Sequence, residues 1–403
     1  MLNQDGDFVG FDVVIGNPPY GVRAVEIDKK YFKSNYSSII GKYDSYGFFI
    51  EQGLNLMKEK GFIGYIIPHT WLTVLEAQTI RDLLLLKCKI DEVILLPSKV
   101  FEDATVETSN LFAQKKENCT NYNVKIITFD FKKEIENIEC SKIEYEIPID
   151  IWIKNRVFNP NIRELEDNIL AKLNNQSIPL EDLCELSVGV QAYDSHTGQT
   201  KETISNRVYH SKTKTNETYI RELNGRDVLR YNIKSKGESW ISYGPWLAHP
   251  RHIKFFDRER ILVREITSQG KYTILATYIE EYLINYKSIL NIIKKDSSGY
   301  DIDLKFILGV LNSSFMSWFF NIKSNKIVTK TFPRISIYDL KSFPIVVDNT
   351  DCQITISDLV VKVLNHKKED ENFDTSYLES QIDQLVYQLY DLTEDEIEII
   401  ENN

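Results

Sequence analysis

Cysteine and methionine are scarce in this chain, and long apolar runs are absent. The 403 residues include five cysteines and three methionines, and the cysteines are scattered without a Cys-x-x-Cys pair or a Cys/His cluster. That spacing argues against a disulfide framework or a zinc site and is typical of a reducing cytoplasm, so we expect no metal. No apolar run reaches membrane-spanning length, and the acidic N-terminus is not a signal peptide, so we expect no membrane partner.

Net positive charge is also missing from the chain as a whole, but not from its middle. The formal net charge is −11. Residues 195–345 nevertheless carry 24 Lys and Arg against 14 Asp and Glu, whereas residues 346–403 carry 3 against 15. A basic middle between acidic flanks is typical of a module that binds a polyanion, although a merely solvated surface would show the same balance.

The segment Phe11–Gly21 joins an apolar run to an abrupt polar loop. Residues 11–15 predict a buried strand that ends at Gly16. The next four residues are Asn17, Pro18, Pro19 and Tyr20. Because open α/β folds bind ligands at the carboxyl ends of their strands, we expect this loop to be functional. The alternative is a Pro-Pro turn that only ends a strand.

This loop resembles the catalytic loop of amino-group methyltransferases, chiefly those that methylate N6 of adenine in DNA. An exocyclic amino nitrogen is a poor nucleophile, and two acceptors that hold its hydrogens can turn its lone pair towards a methyl group. Asn17 offers a side-chain carbonyl and Pro18 a backbone carbonyl, while the consecutive prolines keep the loop stiff. Tyr20 would stack on a base swung out of the duplex. The resemblance implies Asn17, Pro18, Pro19 and Tyr20 as catalytic residues.

The first 150 residues alternate between helical and strand patterns. Apolar spacing predicts helices at about 43–60 and 72–86 and strands at 62–67, 89–96, 108–113 and 124–129. This order resembles the second half of a Rossmann-like methyltransferase sheet, which ends in an antiparallel hairpin. The predicted fold class is therefore α/β, followed by a mixed α+β target-recognition domain and C-terminal helices.

Two further stretches, Gly41–Gly47 and Ile67–Leu72, look like those of TaqI-type adenine methyltransferases. In that family the phenylalanine of a Val-Phe pair packs against the flipped adenine. The resemblance implies that Phe101 and Tyr20 sandwich the base, whereas the alternative is that Phe101 belongs to the core. His69 has no assigned role.

The domain organisation follows from composition and from a second resemblance. We expect a catalytic half-domain at 1–150, a linker helix at 151–175, a specificity domain at 176–345 and an acidic helical segment at 346–403. Leu223–Tyr231, Asn312–Ser314 and Phe332–Ser336 resemble the TaqI-like C-terminal specificity domain of type IIG restriction–modification enzymes. The resemblance covers almost the whole chain.

A specificity domain needs cations for phosphates and polar groups for base edges. The candidates for contact with double-stranded DNA are Gln191, Tyr193, Arg226, Arg230, Lys234, Arg251, Lys254, Lys326, Lys330 and Arg334. Further candidates are the cations His252, Arg264 and Lys271 and the base-edge readers Ser195 and His196. Arg226 could instead be structural and paired with Asp227.

A site for the methyl donor is missing from the sequence. The family's glycine-rich loop, which approaches S-adenosylmethionine, would precede Asn17 by many tens of residues, and nothing downstream replaces it. A truncated reading frame, an excised fragment and one half of a split enzyme all fit. No nuclease centre of two carboxylates and a lysine is evident either, so we expect an N-terminal methyltransferase half or a nuclease domain as possible partners.

These observations favour a site-specific, S-adenosylmethionine-dependent DNA adenine N6-methyltransferase of a bacterial or archaeal restriction–modification system, located in the cytoplasm. This chain would hold the catalytic loop and the target-recognition domain and would be inactive alone if the donor site is missing. Two alternatives remain: a catalytically silent DNA-binding module, and a methyltransferase that acts on glutamine or RNA. The large basic domain argues against the last.

Overall fold

The computed structural model divides into two compact units. They consist mainly of Met1–Asn168 and of Ile169–Ser324 with Lys330–Asn403. The structure describes residues 2, 4–21, 26–38, 44–97, 106–129, 142–234, 239–323, 333–347 and 350–402. The division falls within a helix near the end of the predicted linker.

The first unit is built on a six-stranded sheet. Its strands are β1 Phe11–Gly16, β2 Met57–Pro68, β3 Cys88–Leu95, β4 Thr108–Lys115, β5 Asn123–Phe129 and β6 Lys142–Pro148. The spatial order is β1-β2-β4-β3-β5-β6. β1 is parallel to β2, and β3 to β5, while β4 and β6 run antiparallel to their neighbours. Four described strands thus share one direction, and the predicted antiparallel closure is confirmed.

Helices accompany this sheet. They are α1 Glu26–Asn35, α2 Tyr46–Leu56, α3 Gln78–Lys87, α4 Ile149–Asn155 and, at the boundary between the units, α5 Glu164–Gln176. α2 buries Tyr46, Ile50 and Leu54, which recur every four residues and so share one face. A Cβ on Gly53 would lie 2.7 Å from the Tyr65 hydroxyl, so glycine allows the helix to approach the sheet.

The opposite face of the sheet is open near β1. The exposed fractions are 58% for Val13, 79% for Ile15, 48% for Phe62 and 36% for Phe112. The register pairs Val13 with Phe62, and it joins Ile15 through Gly64 to Phe112, so the four side chains share one face. We call these four residues the open apolar face.

Three regions differ from the sequence-based expectations. Residues 142–148, where no strand was predicted, form β6, because their alternating side chains suit an edge strand beside β5. The predicted linker helix is two helices, α4 and α5, with a turn between them. The predicted helix that starts near 72 begins with 3₁₀ turns at His69–Leu72 and Leu75–Ala77 before α3.

The second unit combines small, mostly antiparallel sheets with helices. Its strands are β7 Ile178–Pro179, β8 Cys184–Val188, β9 His210–Ser211, β10 Tyr219–Leu223, β11 Val228–Leu229, β12 Asn232–Ile233, β13 Trp240–Ser242, β14 Arg260–Arg264, β15 Ala276–Ile279, β16 Ile284–Asn285, β17 Ile289–Lys294 and β18 Pro344–Ile345. They form two four-stranded sheets, β16-β10-β13-β9 and β15-β14-β17-β8, and two two-stranded pairs. Among the described strands of this unit, only β10 and β16 pair in parallel.

The helices of the second unit lie mostly after these strands. They are α6 Leu180–Leu183, α7 Lys201–Ser205, α8 Leu304–Leu311, α9 Ser314–Lys323, α10 Ile337–Lys341, α11 Thr350–Glu369, α12 Ser376–Leu389 and α13 Glu394–Glu401. α8 is buried almost all round and packs against α11 and α12. A Cβ on Gly309 would lie 2.6 Å from Ile356, so this contact requires glycine.

Within the described ranges, no helix is both long and apolar enough to cross a membrane.

Candidate functional site

The loop Asn17–Tyr20 lies where β1 ends, at the edge where β2 also ends. Asn17 and Pro19 are exposed, Tyr20 is half-buried and Pro18 is buried. Among the residues that the structure describes, no donor bonds to the Asn17 side-chain oxygen or to the Pro18 carbonyl. Two acceptors on a stiff loop are thus available to a ligand with two hydrogens to donate.

The loop is anchored from behind by the residues that precede α2. The Ser45 hydroxyl donates to the Pro19 carbonyl. The Gly21 N–H donates to Asp44 Oδ1 at 2.8 Å, and Gly21 has a positive φ of 72°. Asp44 and Ser45 belong to the stretch Gly41–Gly47, which was singled out by resemblance. These bonds fix the C-terminal end of the loop, at Pro19 and at the residue after Tyr20.

The residues after β2 form the next part of this edge. Trp71 is fully buried, and its indole N–H donates to Ser109 Oγ at 3.0 Å. Arg81 donates to the carbonyls of Trp71 and Val74, both at 2.9 Å. These bonds make Trp71 a support of the edge and not a group exposed to a ligand.

His69 lies beside the carboxyl group of Glu107, which was not predicted from the sequence to belong to this site. Its N–H donates to the Glu107 carbonyl at 3.1 Å, and its Nε2 lies 3.4 Å from Glu107 Oε2. Burial lowers the pKa of His69 to about 4 and raises the pKa of Glu107 to about 7. Glu107 immediately precedes β4, and only the antiparallel pairing of Pro68 with Thr108 brings it to this edge. The edge therefore holds a carboxyl group that changes protonation near neutral pH.

Phe101, the predicted second stacking residue, falls outside the described residues, as do Lys326 and Lys330. Their roles stay predictions.

The predicted base readers Gln191 and Tyr193 make internal hydrogen bonds. The Gln191 amide donates to the Tyr193 carbonyl and to Asp194 Oδ2, both at 3.1 Å. The Tyr193 hydroxyl lies 2.9 Å from His210 Nδ1 and accepts the Tyr209 N–H at 2.9 Å. Because these polar groups already bond partners within the protein, few of their donors and acceptors remain for a hydrogen bond to a base edge.

Arg230 is also committed within the protein. It forms an ion pair with Glu379, donates twice to the Asn312 carbonyl, and lies 3.7 Å from the centre of the Tyr272 ring. Only 13% of its side chain is exposed. Lys254 similarly bonds Glu185 at 2.5 Å. We therefore leave both out of the proposed DNA surface.

The other described cations of the predicted set are exposed. Arg226 lies in a 3₁₀ turn whose Asp227 accepts the Asn224 N–H at 2.7 Å. The Asp227 carboxyl thus stabilises the turn by this hydrogen bond. The remaining exposed members are Lys234, which is 3.9 Å from Glu371, Arg251, and Arg334, which is 3.7 Å from Glu265. These four side chains can reach a phosphate.

No group of three or more His, Cys, Asp or Glu side chains is placed to hold a metal ion in the described part of the chain.

Two regions of this chain match known protein families. Residues 2–101 match the Eco57I restriction-modification methylase family, and residues 220–345 match the TaqI-like C-terminal specificity domain. The first match contains the loop and its anchors, and the second contains most of the basic domain.

Similar proteins cover both regions. A putative type II restriction enzyme and methyltransferase of Methanocaldococcus jannaschii, RM.MjaORFECS2P, is 27% identical over 402 residues, which are 94% of this chain and 31% of the relative. The type II restriction enzyme and methyltransferase RM.Eco57I of Escherichia coli is 23% identical over 76% of this chain and 33% of its own length. The chain spans about a third of the length of these relatives.

A solved structure shares the fold. It is the type IIL restriction-modification enzyme MmeI in complex with DNA, with a TM-score of 0.62 at 12% identity over 97% of this chain and 56% of that chain. The chain therefore shares the fold of this enzyme, and its two matched regions are similar to a restriction-modification methylase and to a TaqI-like C-terminal specificity domain.

Proposed function

We propose that this segment supplies the catalytic loop and the target-recognition domain of a site-specific DNA adenine N6-methyltransferase. The observation that carries the proposal is the pair of acceptors, Asn17 Oδ1 and the Pro18 carbonyl, on a loop held by Asp44 and Ser45. The two acceptors would take the two hydrogens of the adenine amino group, and Tyr20 would stack on the flipped base with Phe101 opposite.

S-adenosylmethionine is the methyl donor that the methylase family implies, for the complete protein. The sequence contains no Gly-x-Gly turn, and the described residues at the loop supply acceptors for a base and no cradle for an adenosyl group. The residues present therefore do not fit the donor, and we assign none of them to it.

The open apolar face and the unpaired edge of β1 indicate where the donor-binding half of a methyltransferase would bind. β1 pairs with β2 on one side, and among the described strands none pairs on its other side. Ile15, on the open apolar face beside this edge, is 79% exposed, and the relatives are about three times as long as this chain. We propose that the donor-binding half of the methyltransferase extends the sheet at β1 and covers the open apolar face, because an unpaired edge favours pairing with another strand and a contiguous exposed apolar surface favours burial.

The loop is tested by Asn17→Ala in the complete methyltransferase, whether one polypeptide or reconstituted from halves. We expect methylation, measured as N6-methyladenine by mass spectrometry of nucleosides, to fall by about 100-fold or more, in line with the loss of one catalytic hydrogen-bond partner. Asn17→Asp keeps an acceptor at the same place and should retain more activity. Normal methylation by Asn17→Ala would contradict the assignment.

The docking edge is tested by Ile15→Glu, with Leu75→Glu as the matched control. Leu75 is equally exposed, at 80%, but lies on a 3₁₀ turn away from β1. We expect Ile15→Glu to abolish co-elution with the donor-binding half and Leu75→Glu to preserve it. Equal behaviour of the two variants would contradict the docking edge.

A second candidate function is a silent DNA-binding module, favoured by the missing glycine loop. Calorimetric titration of this chain with S-adenosylmethionine separates the two: stoichiometric binding contradicts the silent module. In either case chromosomal DNA as target would place the protein in the cytoplasm of its bacterial or archaeal host.

A further inference from the structure

The Tyr193 ring is held through its hydroxyl. The hydroxyl accepts the Tyr209 N–H and lies within hydrogen-bond distance, 2.9 Å, of His210 Nδ1. His210 Nε2 in turn lies 3.2 Å from Glu222 Oε2, and the Glu222 side chain is 1% exposed. Ser239 donates to the same carboxylate oxygen at 3.0 Å. The two contacts of the hydroxyl restrain the orientation of the ring.

A second ring and a loop brace support Tyr193 from other sides. Tyr209 stacks on it with ring centres 5.5 Å apart and planes 10° apart. The following residues are pinned as well, since Gln199 accepts the Asp194 N–H at 3.1 Å and donates to the Ala192 carbonyl at 2.9 Å. The ring is therefore a rigid platform within a mostly polar loop.

Arg207 occupies this platform. Its guanidinium carbon lies 5.7 Å from the centre of the Tyr193 ring, within the range of a cation–π contact. The residue is exposed and has a positive φ of 48°. It forms no ion pair with a carboxylate of the described residues, unlike Arg230 and Lys254. The guanidinium thus contacts the ring, while no acceptor among the described residues takes a hydrogen bond from its side chain.

The surroundings favour a polyanion as the partner. The segment 193–216 carries four cations, Lys201, Arg207, Lys212 and Lys214, against Asp194 and Glu202. A planar guanidinium that is positioned over a ring presents a fork that matches the O6 and N7 acceptors of guanine, the commonest specific contact in the major groove. A lysine in the same loop would supply charge without that geometry.

We propose that Arg207 is a specificity-determining residue that reads a guanine of the target site, with Tyr193 as its positioning residue. This role rests on the proposed target-recognition function of the domain. It replaces Gln191 and Tyr193 as direct readers, because their polar groups are used within the protein.

The test is selection of duplexes from a randomised DNA library by the whole chain, followed by sequencing of the bound fraction. We expect the wild-type chain to enrich a motif, and Arg207→Ala to lose the preference for guanine at one position, by about 10-fold or more, with the other positions retained. Arg207→Lys should lose the same preference although it keeps the charge. Both variants change an exposed side chain, and equal melting temperatures would verify that they fold.

Lys212→Ala is the matched control, since Lys212 is an exposed cation of the same loop. It should weaken binding to all sequences alike and leave the motif unchanged. If Arg207→Ala also weakens all sequences alike, or changes nothing, Arg207 is not a base reader and the proposal is overturned. If the wild-type chain enriches no motif, the target-recognition function itself is overturned, and the role of Arg207 with it.

Discussion

The edge that carries Asn17–Tyr20 and the second unit use their polar groups in opposite ways. At the edge, no donor among the described residues bonds the acceptors of Asn17 and Pro18, while Asp44 and Ser45 hold the loop from behind. In the second unit, the polar groups of Gln191, Tyr193 and Arg230 bond neighbours in the same unit.

The difference follows from how each site is made. Two consecutive prolines lack N–H groups and cannot donate to a helix or sheet ladder, so the strand ends there, and the Pro18 carbonyl bonds no donor among the described residues. A long side chain can instead turn to any partner within reach. Loop acceptors of this kind are therefore predictable from local sequence, whereas contact residues on small sheets are not.

Arg230→Ala is expected to have the largest effect of the tests that separate the two regions. It leaves Glu379 unpaired in a largely buried site, and removal of one partner of such a pair costs about 3 kcal/mol or more. Urea unfolding should show the loss. DNA affinity of the folded fraction should equal that of the wild type, with exposed Arg226→Ala as the control. If the Arg230→Ala chain is as stable as the wild type but no longer binds DNA, Arg230 is a contact residue. The difference between the two regions would then be wrong for Arg230.

The His69–Glu107 pair provides a test by pH. Glu107 has a raised pKa, so the folded state holds more protons than the unfolded state and its contribution to stability falls as pH rises from about 4.5 to 7. His69 has a lowered pKa, so its contribution rises with pH from about 4 to 6.5. The two opposing slopes, each up to about 1.4 kcal/mol per pH unit, should largely cancel in the wild type.

Single variants of this pair should uncover each slope. His69→Gln should lose stability between pH 5 and 7, and Glu107→Gln should gain it between pH 4.5 and 6.5, both measured by denaturant unfolding at several pH values. Parallel pH profiles for the two variants would contradict the opposite shifts.

Loosening the loop anchor should have a smaller effect. Asp44→Ala removes the acceptor of the Gly21 N–H, and Ser45→Ala removes the donor to the Pro19 carbonyl. Each change should lower methylation by the complete enzyme by about 10-fold, since one hydrogen bond contributes about 1 kcal/mol and the loop acceptors must be aligned. Melting temperature should hardly change. If the variants lose much stability but keep their activity per folded molecule, Asp44 and Ser45 stabilise the fold and do not align the loop for methylation.

The smallest effects are expected for exposed cations. Lys234→Ala and Arg334→Ala remove side chains whose ion-pair partners are 3.9 and 3.7 Å away, and such surface pairs add little stability. Each variant should bind duplex DNA somewhat more weakly and lower the salt dependence of binding by about one charge. Fluorescence anisotropy across a salt series measures this slope, and an unchanged slope would exclude a phosphate contact.

Much of the first unit follows from its local patterns. Three elements were predictable: the apolar strand before Asn17, the helix that begins near Tyr46, and the strand that contains Ile63 and Ile67. The spacing of apolar residues and the Gly and Pro residues that end an element are both local properties of the sequence. The strand at 142–148 was not, since its charged alternation suits both a junction and an edge strand. Only its pairing with β5 decides between them.

The candidate site was predictable in its loop and not in its supports. The tetrapeptide at 17–20 indicated both the chemistry and its place at a strand end. Nothing local indicated Glu107, which comes to the edge through antiparallel pairing forty residues after β2.

By itself the sequence determined the first strands and helices of the first unit, the two acceptors that Asn17 and Pro18 offer, and the basic character of 195–345. These properties depend on residue type and on neighbours along the chain. The tertiary structure decided which side chains have partners. Arg230 is paired with Glu379 and the Tyr193 hydroxyl contacts His210, whereas Arg207 lies over the Tyr193 ring and is exposed. The physical reason is that a polar group finds its partner across long sequence separations, and only folding brings those partners within hydrogen-bond distance.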